Sequence, residues 1–340
     1  MQIFRSILAV GAMGACLLTT PAWAGALVAA PEMVADRSQY LTLEQLRAKY
    51  AQPGSKYMTI KGVQVHYMDE GTGPAILMVH GSSSTLKTYD VVAAKLKDRY
   101  RVIRYDIPPQ GLSGPLPDDV AASMAAEDLP EILLTNLNVK DATVLGVSSG
   151  GTMAMYLAAK RPDLVARIIL SNNPADVVDT APMKLSKAMI VEQGIAGEAS
   201  NGSFKRRSFW DAFFDFFTGE PERVGPGIRE QYYDINRRLP EKNRFSVTAL
   251  TANHAMTVEK TAKITCPVLL LWGERDPLLP PAAADAAAGY LKNASVSKIF
   301  MPDVGHYPPL EAPERFAQIV AAYIEAATPV KPIAKNPADR

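Results

Sequence analysis

Apolar β-type runs alternate with helix-forming segments along most of this chain, and this alternation constrains its fold most strongly. Strands joined by helices need crossover connections, which produce parallel pairing, and continuous apolar runs indicate a sheet covered on both faces. The sequence therefore predicts an α/β fold with a mostly parallel sheet. The clearest runs are AILMVH (75–80), YRVIRYD (100–106), ATVLGV (142–147), ARIILSN (166–172), CPVLLLWGERD (266–276) and SVSKIFM (295–301).

The alternation stops near Pro174 and resumes after residue 262. The segment between is helix-forming and rich in aromatic residues, as in SFWDAFFDFF (208–217). We therefore expect a helical cap, residues 175–262, inserted after the sixth strand of a core. The remaining bounds of this division are a core of residues 57–174 and 263–327, an N-terminal extension of residues 25–56 and a disordered tail of residues 328–340.

The first residues have the pattern of an export signal. Arg5 precedes an apolar stretch that is short for a membrane span, and Ala22-Trp23-Ala24 matches a cleavage site before Gly25. We expect residues 1–24 to be a signal peptide and the protein to be exported, either periplasmic or secreted, with no stable membrane insertion after cleavage. An uncleaved anchor is the alternative. Cleavage would leave Cys266 as the only cysteine, so no internal disulfide is expected.

The charge balance excludes the usual signature of a nucleic-acid-binding protein. The 340-residue chain carries 36 basic and 35 acidic residues, for a net charge of +1, and has no dense basic run. We expect a small-molecule substrate as the partner. The oligomeric state is left open by the sequence.

The segment GVSSG (146–150) predicts a nucleophilic serine on a sharp turn between a strand and a helix. It fits the pattern G-x-S-x-G, in which the residues two before and two after the serine must be nearly free of side chain. For Ser148 those neighbours are both glycine, whereas for Ser149 one would be Val147. Ser148 is therefore the predicted nucleophile. The backbone N–H of Ser149, at the helix N-terminus, is a predicted donor to the oxyanion of the reaction.

A serine hydroxyl needs a histidine to take its proton and a carboxylate to orient that histidine. Of the four histidines, His306 follows the last strand and precedes the last helix, so it is the predicted base. His66 is expected to pack in the sheet or lie at the surface, His80 to shape a loop, and His254 to line a pocket at most. The predicted acid is Asp276, just past an apolar strand.

Two other aspartates are alternatives to Asp276 as the acid. Asp176 follows the strand ARIILSN and is the rival position, while Asp303 lies near His306 in sequence and is expected to cap a turn. We expect Cys266 to be a buried filler at a strand start.

Together these motifs resemble the α/β-hydrolase superfamily, in its capped serine hydrolase branch. GVSSGG, WGERDPLLP and VGHYPPLEAPERF resemble the elbow, acid and histidine motifs of that family, in the same order along the chain. The layout is similar to that of epoxide hydrolases and haloalkane dehalogenases, but those enzymes use an aspartate as nucleophile. The resemblance implies an α/β-hydrolase fold, and the serine implies acyl transfer.

The resemblance also implies roles near the nucleophile. HGSSS (80–84) resembles the family's oxyanion loop, which makes the N–H of Ser82 the second oxyanion donor, with Ser83 as the fallback. DIPPQGLSG (106–114) departs from the usual loop, placing Gln110 at the pocket mouth, while Asp106 is expected to bond loop backbone. The predicted substrate-binding residues are Gln110 and the cap aromatics Trp210, Phe213 and Phe214. No metal ligands and no cofactor are expected.

Taken together, these expectations predict that the protein is an exported serine esterase. Its substrate would be a small or medium apolar carboxylic ester or lactone, cleaved through an acyl-enzyme on Ser148. The alternative is a carbon–carbon bond hydrolase or an aminopeptidase-like amidase on the same triad, the latter recognising a free amine through cap acids. The available cap acids are Asp211, Asp215, Glu220 and Glu222. A non-catalytic ligand-binding protein with the same fold is a further alternative.

Overall fold

The computed structural model describes residues 37–176, 183–200, 204–243 and 254–326, and the side chains of 198–200 are not described. One sheet of eight strands, in the order β1-β2-β4-β3-β5-β6-β7-β8, forms its centre. Pairing is antiparallel between β1 and β2 and between β2 and β4, and parallel everywhere else. The predicted mostly parallel α/β fold is confirmed. The strands are β1 Lys56–Ile60, β2 Val63–Glu70, β3 Ala75–Val79, β4 Arg101–Tyr105, β5 Ala142–Val147, β6 Val165–Ser171, β7 Val268–Gly273 and β8 Val296–Met301.

Twelve α-helices lie within the described residues. The sequence pattern before β5 predicts one helix over about 121–136, but the structure has two helices there. Pro130 stands near the start of the second one and lacks the N–H that a continuous helix would donate at this point. The helices are α1 Leu43–Tyr50, α2 Asp90–Leu96, α3 Asp118–Ser123, α4 Asp128–Asn136, α5 Ser149–Lys160, α6 Lys187–Ser200, α7 Arg207–Phe217, α8 Pro226–Asn236, α9 His254–Thr261, α10 Pro281–Tyr290, α11 Pro308–Glu311 and α12 Pro313–Ala326.

The sheet separates two apolar cores, as its strand pattern requires. Along β3, Leu77 and Val79 belong to one core and Ile76 and Met78 to the other, because successive strand side chains point to opposite faces. Helices α4 and α5 cover the first face, and α2 and α12 cover the second. Burial on both faces explains why β3 and β5 are continuous apolar runs rather than alternating ones.

The described part of the insertion between β6 and β7 is helical, as expected for a cap after the sixth strand. It comprises α6 to α9 and a short 3₁₀ turn at Pro221–Arg223. The signal peptide, the tail 328–340 and parts of the expected cap and N-terminal extension lie outside the described residues. Across the described segments, none of the helices has the length and apolar character needed to cross a bilayer.

The N-terminal extension ties the cap to the core. Helix α1 begins with a capping box in which Thr42 and Gln45 bond each other's backbone N–H groups. The carboxylate of Asp234 on cap helix α8 is fully buried and accepts hydrogen bonds from Lys49, the Tyr50 hydroxyl and Arg237. Thus α1 holds α8 in place through one buried carboxylate.

Asp234 generates a stability prediction. Burial raises the pKa of Asp234, but bonds from Lys49, Tyr50 and Arg237 outweigh it and hold the pKa below its usual 3.8. A carboxyl whose pKa is lower in the folded state stabilises the fold above its ordinary pKa, and this stabilisation disappears as the pH falls through the folded-state value. We expect Asp234→Asn to lower the free energy of unfolding by roughly 1–3 kcal/mol at pH 7, and by less at pH 3.

Urea unfolding of both proteins at the two pH values measures this difference. Asp118→Asn is the control, because Asp118 also bonds cap side chains, Lys242 and Asn243, but at an exposed site. It should change stability little. An Asp234→Asn effect that is equally large at pH 3 would contradict this account.

Candidate active site

The predicted catalytic residues all follow strands at the same edge of the sheet. Ser148 directly follows β5, Asp276 comes three residues after β7, and His306 comes five residues after β8. Since β5, β6, β7 and β8 are parallel neighbours, their carboxyl ends meet at one edge. Sites in open α/β sheets form at that edge.

Ser148 occupies a strained turn. Its backbone has φ 53° and ψ −133°, in a region that residues with side chains rarely adopt. The two flanking glycines are required by close packing: a Cβ on Gly146 would lie 2.3 Å from the Gly150 carbonyl oxygen, and one on Gly150 would lie 2.3 Å from the Val79 carbonyl oxygen. This is the physical reason for the G-x-S-x-G pattern, and it distinguishes Ser148 from Ser149.

The predicted oxyanion residues lie together beside this turn. A Cβ on Gly81 would be 3.0 Å from the Ser148 Cβ, so the loop after β3 runs directly against Ser148. The hydroxyls of Ser82 and Ser149 are 3.0 Å apart and hydrogen-bonded. The structure therefore brings Ser82 and Ser149 together next to Ser148, and the use of their N–H groups as oxyanion donors stays a prediction.

His306 and Asp276 form a buried pair. Nδ1 of His306 is 2.6 Å from Oδ2 of Asp276, and both residues are 3% exposed. The N–H of Leu278 donates to the other carboxylate oxygen at 2.8 Å. An imidazole held through Nδ1 leaves Nε2 to exchange a proton with a nucleophile.

Asn172 is a site residue that the sequence reasoning missed. Its Nδ2 donates to Oδ2 of Asp276 at 2.8 Å, and its Oδ1 accepts the N–H of Gly273 at 2.8 Å. It follows β6, and the N–H of Ser148 donates to the carbonyl of Ser171, the residue before it. Asn172 thus connects the turn at Ser148 to the Asp276 carboxylate. An amide residue ending the strand ARIILSN was the available signal.

The loop that carries His306 is held by a second missed residue. Glu311 is 3% exposed, and its carboxylate accepts the N–H groups of Gly305, Tyr307 and Gly219. Burial raises the pKa of Glu311, while these N–H groups and the nearby His306 oppose the rise. Glu311 therefore braces the backbone on both sides of His306.

The cap also reaches His306. The N–H of His306 donates to the carbonyl of Phe217, the last residue of α7, at 2.7 Å. The ring centroids of Phe217 and His306 are 5.9 Å apart.

The other histidines have different partners. His80 accepts the Ile107 N–H at Nε2, so its Nδ1 carries the proton and donates to the Gly81 carbonyl. Burial lowers the pKa of His80, although the Asp106 charge and the Gly81 carbonyl oppose this. His80 shapes the loop before Ser82, as expected. His254 pairs with Asp176, so the rival acid contacts a different histidine from His306.

His66 is buried in a second Ser–His–Asp series. Its Nδ1 is 2.7 Å from Asp106 Oδ2 and its Nε2 is 2.8 Å from Ser55 Oγ. Ser55 precedes edge strand β1, and its hydroxyl also accepts the Gln52 N–H in a turn. Asp106 in turn accepts the Leu86 N–H, which agrees with its expected role in bonding loop backbone.

The predicted substrate-binding residues fall into two groups. Trp210, Phe213 and Phe214 lie in the apolar core of the cap and are 2%, 8% and 0% exposed. Phe213 and Phe214 each pack against Tyr307, next to His306. Gln110 is half-buried and lines a pocket beside the oxyanion loop. Contact of these residues with a substrate stays a prediction.

None of the described hydrogen bonds or ion pairs joins Asp303 or Cys266 to His306 or Asp276. Asp303 forms ion pairs with Arg223 and Arg315. Burial raises the pKa of the Cys266 thiol to about 11. Among the described side chains, no three His, Cys, Asp or Glu residues group as a metal site would require.

Comparison with known proteins identifies the family. Residues 74–313 match the family model described as alpha/beta hydrolase fold. The chain belongs to the α/β-hydrolase family. Human serine hydrolase BPHL is 26% identical to this hydrolase over 278 residues, which is 80% of this chain and 86% of that protein. The cis-3-alkyl-4-alkyloxetan-2-one decarboxylase of Shewanella oneidensis is 28% identical over 269 residues, or 74% and 82% of the two chains.

A solved structure shows the same fold. The enol-lactonase from Burkholderia xenovorans LB400 is similar to this chain with a TM-score of 0.60 at 20% identity, over 79% of this chain and 100% of that one.

The strained turn generates a stability prediction. In Gly150→Ala the new Cβ would collide with the Val79 and His80 carbonyl oxygens, which belong to backbone that cannot move aside cheaply. We expect the free energy of unfolding to fall by about 3 kcal/mol or more. Gly194→Ala is the matched control, since nothing lies within 4 Å of its Cβ position in α6.

Gly194→Ala should stabilise the hydrolase by about 0.5–1 kcal/mol, because alanine loses less backbone entropy in a helix. Urea unfolding of the two variants measures the contrast. Equal effects in both would show that close packing at Gly150 does not constrain the turn.

Proposed function

We propose that this hydrolase is an exported serine esterase that cleaves a small or medium apolar carboxylic ester or lactone through an acyl-enzyme on Ser148. The observation that carries the proposal is the Ser148 turn, at φ 53° and against Gly81, on the same sheet edge as the bonded His306–Asp276 pair. A serine in this backbone conformation is costly to fold, and presenting a nucleophile is the established reason for such turns.

The proposed first half-reaction forms the acyl-enzyme. The Ser148 Oγ bonds to the carbonyl carbon while Nε2 of His306 takes the hydroxyl proton, and Asp276 stabilises the imidazolium. The N–H groups of Ser82 and Ser149 hold the negative oxygen of the tetrahedral intermediate. The carbon–oxygen bond to the leaving alcohol then breaks, and His306 returns the proton to that alcohol. In a lactone the alcohol stays attached to the acyl group.

Water completes the proposed cycle. His306 takes a proton from water as its oxygen bonds to the acyl carbon, and the second tetrahedral intermediate collapses with the proton returning to Ser148. The products are a carboxylic acid and an alcohol, or one hydroxy acid from a lactone. None of these steps uses a cofactor.

Aromatic side chains of the cap support an apolar substrate. Phe213 and Phe217 pack around Tyr307 and His306, so the cap side of His306 is aromatic. The relative from Shewanella is named for an oxetan-2-one, a four-membered cyclic ester. That name supports including a lactone among the substrates to be tested.

Recognition of a free amine has less support. Three of the four cap acids are paired with arginine: Asp211 with Arg207, Asp215 with Arg229 and Glu220 with Arg275. A paired carboxylate attracts a substrate amine less than a free one does, because its charge is already compensated.

Replacement of the nucleophile tests the proposal. Ser148→Ala should lower hydrolysis of nitrophenyl esters and lactones by at least about 10³-fold with an unchanged fold by circular dichroism. Ser149→Ala should lose less than about 10-fold, since it keeps the backbone N–H and loses only the side-chain bond to Ser82. A folded, active Ser148→Ala enzyme would overturn the assignment.

Ser55→Ala is the matched control, because Ser55 also bonds a histidine that bonds an aspartate. It should keep wild-type turnover. The same panel should include an amino-acid amide and a vinylogous diketone. Preferential turnover of either would favour the amidase or the carbon–carbon hydrolase over the esterase. Export is tested separately, by locating the mature chain and sequencing its N-terminus, which we expect to be Gly25.

A further inference from the structure

The oxyanion loop contains a residue in an unfavourable conformation. Ser83 has φ 57°, in the left-handed region, which is unfavourable for a non-glycine residue. Such a conformation persists only when surrounding contacts impose it. The residue before it, Ser82, is the proposed oxyanion donor, so contacts that hold Ser83 constrain the backbone adjacent to the Ser82 N–H.

The cap supplies one of those contacts. Nδ2 of Asn236, the last residue of α8, donates to the Ser83 carbonyl at 2.9 Å and to the carbonyl of Tyr232 in its own helix at 2.8 Å. One amide group therefore joins the end of a cap helix to the oxyanion loop. Ser82 itself is tied on the other side by its hydroxyl bond to Ser149.

A second residue of α8 holds the next position of the loop. The Tyr232 hydroxyl is 2.9 Å from Ser84 Oγ and 3.2 Å from Thr88 Oγ1, and the side chain of Tyr232 is buried. Burial raises the pKa of Tyr232, so the phenol keeps its proton and can donate. Two residues one helical turn apart, Tyr232 and Asn236, thus contact consecutive residues of the oxyanion loop.

We propose that Asn236 is a positioning residue for the oxyanion hole: by bonding the Ser83 carbonyl from the cap, it holds the Ser82 N–H in the direction that stabilises the tetrahedral intermediate. This inference rests on the proposed esterase mechanism. It makes the docking of α8 a condition for fast chemistry as well as for covering the site.

A neighbouring pocket makes it possible to distinguish a positioning role of Asn236 from a purely structural one. Asn236 and Ser84 line a pocket of about 140 Å³ together with Gln110 and Arg238. When Asn236 is replaced, we expect water from this pocket to bond the freed Ser83 carbonyl, so that little stability is lost. A water molecule does not join the loop to α8, so the constraint on the direction of the Ser82 N–H is lost.

The test compares two asparagines of the cap that bond core carbonyls. Asn236→Leu keeps the side-chain shape and removes the donor. Asn243→Leu is the matched control, because Asn243 donates to the Leu116 carbonyl at 3.0 Å, away from the oxyanion loop. We expect Asn236→Leu to lower kcat on a nitrophenyl ester roughly 10- to 100-fold with KM within about 2-fold, and Asn243→Leu to leave both unchanged.

Inhibition by a trifluoromethyl ketone distinguishes a positioning role of Asn236 from a structural one. The ketone forms an oxyanion adduct on a serine, so its inhibition constant should weaken in Asn236→Leu by the same factor as kcat, whereas a ground-state product acid should bind as before. If Asn236→Leu misfolds, Asn236→Ala, which leaves space for water at the Ser83 carbonyl, takes its place.

Wild-type kcat in folded Asn236→Leu, or a loss equal to that of Asn243→Leu, would overturn the inference. So would a loss confined to KM. Ser148→Ala measured in parallel keeps the two proposals apart: activity in that variant would reject the esterase mechanism, whereas an inactive Ser148→Ala with a fully active Asn236→Leu would reject only the role of Asn236.

Discussion

The close packing of the turn at Ser148 is the constraint on which the rest of the site depends. The turn joins β5 to α5 so tightly that a Cβ on Gly150 would collide with the carbonyls of Val79 and His80, and one on Gly81 would lie 3.0 Å from the Cβ of Ser148. Three segments of backbone therefore meet with no room for a side chain. The oxyanion loop and the Ser148 turn are therefore packed directly against each other, which is the arrangement that a preorganised oxyanion hole requires.

Around this rigid centre, the cap and the N-terminal extension act as parts of the site's support. Phe217 of α7 accepts the His306 N–H, Asn236 of α8 bonds the oxyanion loop, and Asp234 of α8 is bonded by α1. The core alone thus does not complete the hydrogen bonding of either loop. The helical cap therefore also holds, through these hydrogen bonds, the residues that would carry out the reaction.

Several features were predicted from particular residues, and two were missed for a common reason. The strands, the Ser148 turn and the position of His306 after β8 follow from local patterns: apolar periodicity, paired glycines and strand ends. Asn172 was marked only by its place at the end of a strand run, and Glu311 had no local signature. An asparagine or glutamate is ordinarily a surface residue, and only long-range contacts, with Asp276 and with the Gly219 N–H, show these two to be buried and bonded. The break between α3 and α4 could have been predicted from Pro130.

The sequence by itself determined the layered α/β architecture, the place of the insertion after the sixth strand, and Ser148 rather than Ser149 as the candidate nucleophile. Each of these depends on short-range rules of backbone geometry and burial, which a few neighbouring residues express. Only the tertiary structure decided that His306 pairs with Asp276 while Asp176 pairs with His254, and that the cap bonds the oxyanion loop through Asn236. Those pairings join residues from separate elements, and which ones meet depends on how strands, helices and cap pack together.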